Sequence, residues 1–227
     1  MPVSSSFYAI YYHMNLAQYL DDIFRISSDE EFELLSLYAF HHQIKHNTVY
    51  RTYVNALNID IPRISSVSDI PFLPVSFFKQ HAVLSSDAPV QKIFRSSGTT
   101  GTERSSHHIT DLLLYNQSIN KGFAHAFGPV SDYAFLCVLP SYTERDDASL
   151  AYMAQHLINQ SRYACSHFHS INDKALPQKI QKNEKDQIPT IILGVTFALL
   201  DLAELYSMPL KSVFIIETGG MKGRRKE

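Results

Sequence analysis

Cysteine is scarce in this chain, and the two thiols present, Cys137 and Cys165, lie in apolar surroundings with no paired spacing. That usage argues against a disulfide framework and suits a reducing compartment. Charge of one sign is also lacking. Twenty basic side chains against 22 acidic ones leave a formal net charge of −2, whereas a domain that neutralises several nucleic-acid phosphates carries a basic excess on one face. The single basic cluster, Lys222 with Arg224, Arg225 and Lys226, is too short to be more than a solvated stretch. No segment approaches the roughly 18 apolar residues of a membrane span. The residues after Met1 lack the basic start and continuous apolar run of a signal peptide, so the expected compartment is the cytoplasm. Internal repeats and low-complexity tracts are absent.

Several catalytic signatures are missing too. No G-x-S-x-G elbow occurs, so a serine-hydrolase reading has no nucleophile. Neither a P-loop nor a G-x-G-x-x-G fingerprint is found. What remains is a chain of 227 residues with 45% apolar side chains, enough for one large globular domain or two modest ones.

Against that background one run is distinctive: Phe94-Arg95-Ser96-Ser97-Gly98-Thr99-Thr100-Gly101. It follows an alternating segment, Pro89 to Phe94, and precedes a helical pattern from Asp111 to Ile119, giving the order strand, loop, helix. Gly98 and Gly101 let the backbone turn so that N–H groups converge. The hydroxyls of Ser96, Ser97, Thr99 and Thr100 add donors, so an anion there meets partial positive charge from several sides. A polyphosphate fits that description, and a Ser/Thr-rich turn without a ligand is the plainer alternative.

The chain has two textures. Residues 1 to about 85 are expected to be mostly helical: Ser28 with Glu31 forms a capping box, and Phe32, Leu35, Tyr38, Ala39 and His42 share one helix face. Pro62, Pro71 and Pro74 interrupt the pattern. From Pro89 onward strands and helices alternate. Strands are expected at 133–139, 163–169, 190–193 and 212–216, with helices at 149–160 and 197–206 between them. The fold class is therefore α/β, a helical N-terminal region (1–88) followed by an α/β region (89–227) with a mostly parallel sheet covered by helices. In such sheets ligands collect at the carboxyl ends of the strands, and Ser96, Pro140, Gly194 and Glu217 are expected there.

The S-S-G-T-T-G loop resembles the phosphate-binding loop of the adenylate-forming superfamily, which activates carboxylic acids with ATP to acyl adenylates. Within it the chain is similar to the LuxE-type acyl-protein synthetases. The resemblance rests on Pro71 to Lys79, the loop, Asp111 to Tyr115, Leu139 to Arg145, Ser149 to Met153, Leu193 to Leu200 and Ile216 to Arg225. One departure follows the loop, where Ser106 stands before His107 in place of a basic residue; Arg104 is a candidate substitute for that charge. The resemblance implies ATP and Mg2+ as cofactors, with Ser96, Ser97, Gly98, Thr99, Thr100 and Gly101 on the phosphates. It places Thr218, Gly219 and Gly220 at the adenine, and Gly194, Val195, Thr196 and Tyr142 at the acyl pocket, with Ser141 beside Tyr142 at its gate. It implies a fatty-acid substrate and a protein thiol or other thiol carrier as acceptor. The family's E-Y-G-x-T-E segment, ribose-binding aspartate and mobile lid have no counterpart here. The expectation is a front portion of a longer protein, weakly active in isolation.

Other candidates have plain alternatives. Thr218 to Gly220 also suits a tight turn, and Thr196 an ordinary helix cap. Cys165, His167 and His169 alternate along a strand but lack a fourth ligand at a known spacing, so no metal site is assigned. Glu144, Asp146 and Asp147 fit a solvated loop, and His107 with His108 a surface pair. Two rival functions stay open: a non-catalytic nucleotide- or partner-binding module, and an acyltransferase that uses a preformed thioester without ATP.

Overall fold

Helix α2 (Asp29–His46) begins where the sequence places its cap. The Ser28 hydroxyl accepts the Glu31 amide at 3.2 Å, but the Glu31 carboxylate reaches past Ser28 to the Ser27 amide at 2.7 Å and its hydroxyl at 2.9 Å. Acidic residues 29–31 in the first turn and Lys45 with His46 in the last complement the helix dipole. The computed structural model describes residues 14–96, 103–139, 146–170, 172–205 and 209–219. Two compact units divide the chain, Met1–Tyr115 and Asn116–Glu227.

The first unit contains α1 (Leu16–Asp22), α2, α3 (Thr48–Ala56), a short α4 (Phe77–Gln80), and the strands β1 (Lys92–Arg95) and β2 (Ser106–Ile109). Asn47 joins α2 to α3. Its backbone amide closes α2 on Gln43, and its side chain accepts the Tyr50 amide at 3.0 Å to open α3. The core beneath is Phe40, Tyr50 and Val54. Tyr50 donates its hydroxyl to the Pro71 carbonyl at 2.9 Å, tying the proline-rich segment to the helices. The expected core face of α2 is therefore shifted: Leu35 is buried as anticipated, but Leu37 and Phe40 join it, while Phe32 is 51% exposed. Phe40 wins its place because its ring meets Tyr50 edge-on at 6.2 Å.

The second unit is built on a four-stranded sheet of order β4-β3-β5-β6, with β3 (Ala134–Val138), β4 (His167–Phe168), β5 (Thr190–Val195) and β6 (Val213–Thr218). All three pairings are parallel. Helices α5 (Leu112–Phe127, residues from 116 on belonging here), α6 (Ser149–Gln160), α7 (Leu176–Lys185) and α8 (Thr196–Leu205) connect and cover it. This is the expected α/β architecture. Every residue of β3 and β5 is buried, as continuous apolar runs in parallel sheets require. Ala154 and Leu157 of α6, Leu176 and Ile180 of α7, and Phe197 and Ala198 of α8 complete the core. Thr190, a buried polar residue of β5, is satisfied by Asn183 at 3.1 Å and the Ile188 carbonyl at 2.9 Å. Strand β6 is less covered than its apolar sequence implies, with Phe214 48% and Ile215 57% exposed. Among the described residues it pairs with β5 alone.

Burial lowers the pKa of His41 and His42 in the first unit and of His156 and His169 in the second. A histidine whose folded pKa lies below its unfolded value binds fewer protons in the native state. Stability is then full above the unfolded value and lost as pH falls through it. We expect the urea midpoint to drop as pH is lowered from about 7.5 to about 5.5, across the ordinary histidine pKa of about 6.5; a midpoint that holds or rises over that range would contradict this.

Candidate functional site

The sheet's topology creates a crevice before any side chain is considered. From β3 the chain moves to β4 on one side, then returns to β5 on the other, so the order reverses between β3 and β5. Ligands in doubly wound sheets bind outside the carboxyl ends of the strands at such a point. Of the residues expected there, Gly194, Val195, Thr196, Thr218 and Gly219 are indeed brought together, because the register sets Gly194 against Glu217 and Val195 against Thr218. Tyr142, Ser141, Pro140, Glu144 and Gly220 lie outside the described residues.

Each of these positions has a local cause. A Cβ at Gly194 would stand 2.7 Å from Leu199 Cδ2, so glycine is what lets α8 fold back tightly against β5. Val195 is buried beneath the turn. Thr196 starts α8, and its hydroxyl proton is shared between the Glu217 carboxylate and the Gly219 carbonyl, the latter at 2.8 Å. Thr196 is therefore a clasp between β5 and β6. Gly219, just past β6, has φ of +85°, a conformation that side chains resist.

The hydroxyl-rich loop belongs to the first unit, and its frame differs from the expected order of strand, loop, helix. A second strand intervenes: β1 and β2 pair antiparallel, from Lys92 with Ile109 to Arg95 with Ser106. The loop is thus the tip of a two-stranded ribbon, and Ser96 follows a strand outside the parallel sheet. Ser97, Gly98, Thr99, Thr100 and Gly101 lie outside the described residues. The base of the loop is well defined. The Ser96 amide donates to the Ser105 carbonyl at 3.0 Å, the Ser105 amide donates to the Ser96 hydroxyl at 3.1 Å, and Arg104 Nε donates to the Ser96 carbonyl at 2.6 Å. A guanidinium therefore stands where the loop closes. His107 is exposed and meets Phe78 edge-on at 6.0 Å, while half-buried His108 has a buried Nδ1 without a hydrogen-bond partner.

Two features escaped the sequence reading. The first is a cleft of about 370 Å³ in the first unit, lined mostly by apolar side chains including Phe32, Phe40, Val67, Ile70, Phe72 and Phe78. Among its polar members Asn47 is bonded to Gln43 and Tyr50 to Pro71. The second feature surrounds the alternating Cys165, His167 and His169. Their side chains separate: Cys165 Sγ lies 3.7 Å from the Asn183 amide, whereas the His167 and His169 rings are 4.1 Å apart. His169 Nδ1 is 2.8 Å from Asp173 Oδ2. Among the described residues no three His, Cys, Asp or Glu side chains are placed to hold a metal ion. The four-residue step from His169 to Asp173, just past a strand end, was the available signal. Burial pushes the Cys137 thiol up to about 12, which removes it as a nucleophile.

Residues 19–120 match the family described as Acyl-protein synthetase, LuxE. A stretch of 68 residues is 41% identical to the "Long-chain-fatty-acid--luciferin-component ligase" of Photorhabdus luminescens, covering 30% of this chain and 58% of that relative. The chain thus spans less than two thirds of the relative it matches. No described helix is long and apolar enough to cross a membrane. The loop, the β1–β2 ribbon and the apolar cleft all fall inside the matched residues, so it is over residues 19–120 that the chain is similar to the LuxE acyl-protein synthetases.

Proposed function

We propose that the chain works in ATP-dependent activation of a long-chain fatty acid, forming an acyl adenylate whose acyl group passes to a protein thiol. The observation that carries this reading is the Ser96–Gly101 loop, lying within the family match and closed by Arg104 against the Ser96 carbonyl. The donor set suits a polyphosphate: glycines that free backbone N–H groups, four hydroxyls and a guanidinium at the base. The same hydroxyl oxygens are hard donors compatible with magnesium. ATP with Mg2+ supplies the phosphorus centre attacked by the carboxylate and the pyrophosphate that leaves.

The chain's own part is positioning and electrostatics. Ser96, Ser97, Thr99 and Thr100 stabilise charge that grows on the departing pyrophosphate, where a preorganised donor counts most. Thr218, Gly219 and Gly220 are the adenine positions that the family resemblance supplies, and Thr196 braces Gly219 through its carbonyl. The fatty-acid assignment draws on the name of the Photorhabdus relative. For the acyl chain, Gly194, Val195, Thr196 and Tyr142 are the positions the family resemblance supplies. The cleft of the first unit is a second candidate, favoured by its volume and apolar lining. The isolated chain is expected to turn over slowly.

Replacing Thr99 by Ala should slow acid-dependent exchange of pyrophosphate into ATP by about 10²- to 10³-fold, the loss of one such donor, with little change in binding of the acid. Exchange at the parental rate would remove the cradle assignment. If the cleft holds the acyl chain, saturated acids should bind about fourfold tighter per added methylene, at about 0.8 kcal/mol per buried CH2, until the space is filled. Ala39→Phe should flatten that dependence. A dependence unchanged by Ala39→Phe assigns the chain to the Gly194 side instead.

A further inference from the structure

The His169–Asp173 pair stands at the same carboxyl rim of the sheet and has no part in binding ATP as described above. His169 extends the β3–β4 pairing by one residue, its amide donating to the Cys137 carbonyl at 2.8 Å. Its ring is completely buried. Asp173 holds it from one side at 2.8 Å through Oδ2 and uses Oδ1 to accept the Ala175 amide at 2.9 Å. These contacts, the His169 bond first, keep the Asp173 carboxyl below its ordinary range. An ionised carboxylate only accepts, so Nδ1 carries the proton. Burial first of all lowers the pKa of His169 itself, so the ring is neutral near pH 7 and Nε2 is a bare lone pair.

That Nε2 is sealed from solvent and has no partner. A buried acceptor without a donor destabilises a fold and asks for an explanation. A cation is a poor answer. Lys179 Nζ lies 3.1 Å from His167 Nε2 and 3.9 Å from Asp173 Oδ2, so an ammonium already occupies the neighbourhood. The missing partner is an X–H donor. A carboxylate, an imidazole oriented by it and an unpartnered Nε2 form the arrangement that activates a nucleophile.

The geometry points to His169 as the base that receives the proton of the acyl-accepting thiol, with Asp173 as its positioning residue. This rests on the acyl-transfer reading above and names its second step. The thiol S–H proton passes to Nε2 as sulfur attacks the acyl carbonyl; the C–S bond forms, the C–O bond to phosphate breaks, and AMP leaves with that oxygen. His167, Lys179 and Asp173 are the ionisable groups packed on the imidazole.

The test supplies the 227-residue chain, in excess, with synthetic tetradecanoyl adenylate and N-acetylcysteamine, and reads thioester and AMP. The His169 ring nitrogens are followed by NMR during titration with the same thiol. In the parental chain Nε2 should resonate as an unprotonated nitrogen and shift as thiol is added. His169→Gln should cut transfer by about 10²-fold or more, and Asp173→Asn by less. The His169→Gln deficit should shrink as pH approaches the thiol's own pKa, about 8.5 for an ordinary thiol, because a preformed thiolate needs no base. A merely structural role would leave the deficit constant with pH. The inference is overturned by absent parental transfer, by parental rates in His169→Gln, by a pH-independent deficit, or by an Nε2 that is protonated or blind to the thiol. Because the adenylate is supplied, failure of ATP-dependent exchange would sink the activation reading while leaving this one standing.

Discussion

The parallel ladder between β3 and β5 is the constraint from which the second unit follows. Five residue pairs, from Ala134 with Thr190 to Val138 with Gly194, are buried throughout. Buried backbone amides and carbonyls must find partners within the protein, and a parallel pair cannot be closed by a tight turn. The chain therefore has to leave, cross over as a helix and return. It does so on both sides of β3, and every crossover starts from the same rim. Thr196, Glu217, Gly219 and His169 share that rim for this reason, although up to 50 residues separate them in sequence.

The first unit rests on smaller devices. Asn47 serves two helices at once, and Tyr50 reaches out of the core to the Pro71 carbonyl. The β1–β2 ribbon then presents the hydroxyl-rich loop from a pinned base, Ser96 bonded to both Ser105 and Arg104. Rigid support under a glycine-rich tip is what a phosphate site needs, since its donors must be in place before charge develops. Ser106 sits in β2 paired with Arg95. The guanidinium of Arg104 is close to the base of the loop by virtue of its own bond to the Ser96 carbonyl.

Much of this was legible in the sequence, for identifiable reasons. β3 and β5 read as strands because both faces are buried and their apolar runs are continuous. The cap at Ser28 was visible because capping is local chemistry. β2 was missed: Ser106-His107-His108-Ile109 is polar and short, and it becomes a strand only because β1 offers a partner. The core face of α2 was misjudged by a few positions, since tertiary contact with Tyr50 outweighs helical periodicity. His169 and Asp173 were legible only as isolated residues. Their partnership depends on the turn after β4, which no periodicity encodes. The sulfur and two imidazoles that alternate in sequence do not act together, because Cys165 precedes the strand and turns toward Asn183.

An acid activated through an adenylate leaves an isotopic trace that no binding module or thioester-dependent acyltransferase can produce. The most direct measurement supplies this protein, in excess over substrate, with ATP, Mg2+, a thiol and tetradecanoate labelled with 18O in its carboxylate, and analyses the phosphorus products by mass spectrometry. The account predicts AMP carrying one 18O atom, transferred when the carboxylate attacked the α-phosphorus. Thioester formed without AMP, or with the label in orthophosphate instead, would contradict it.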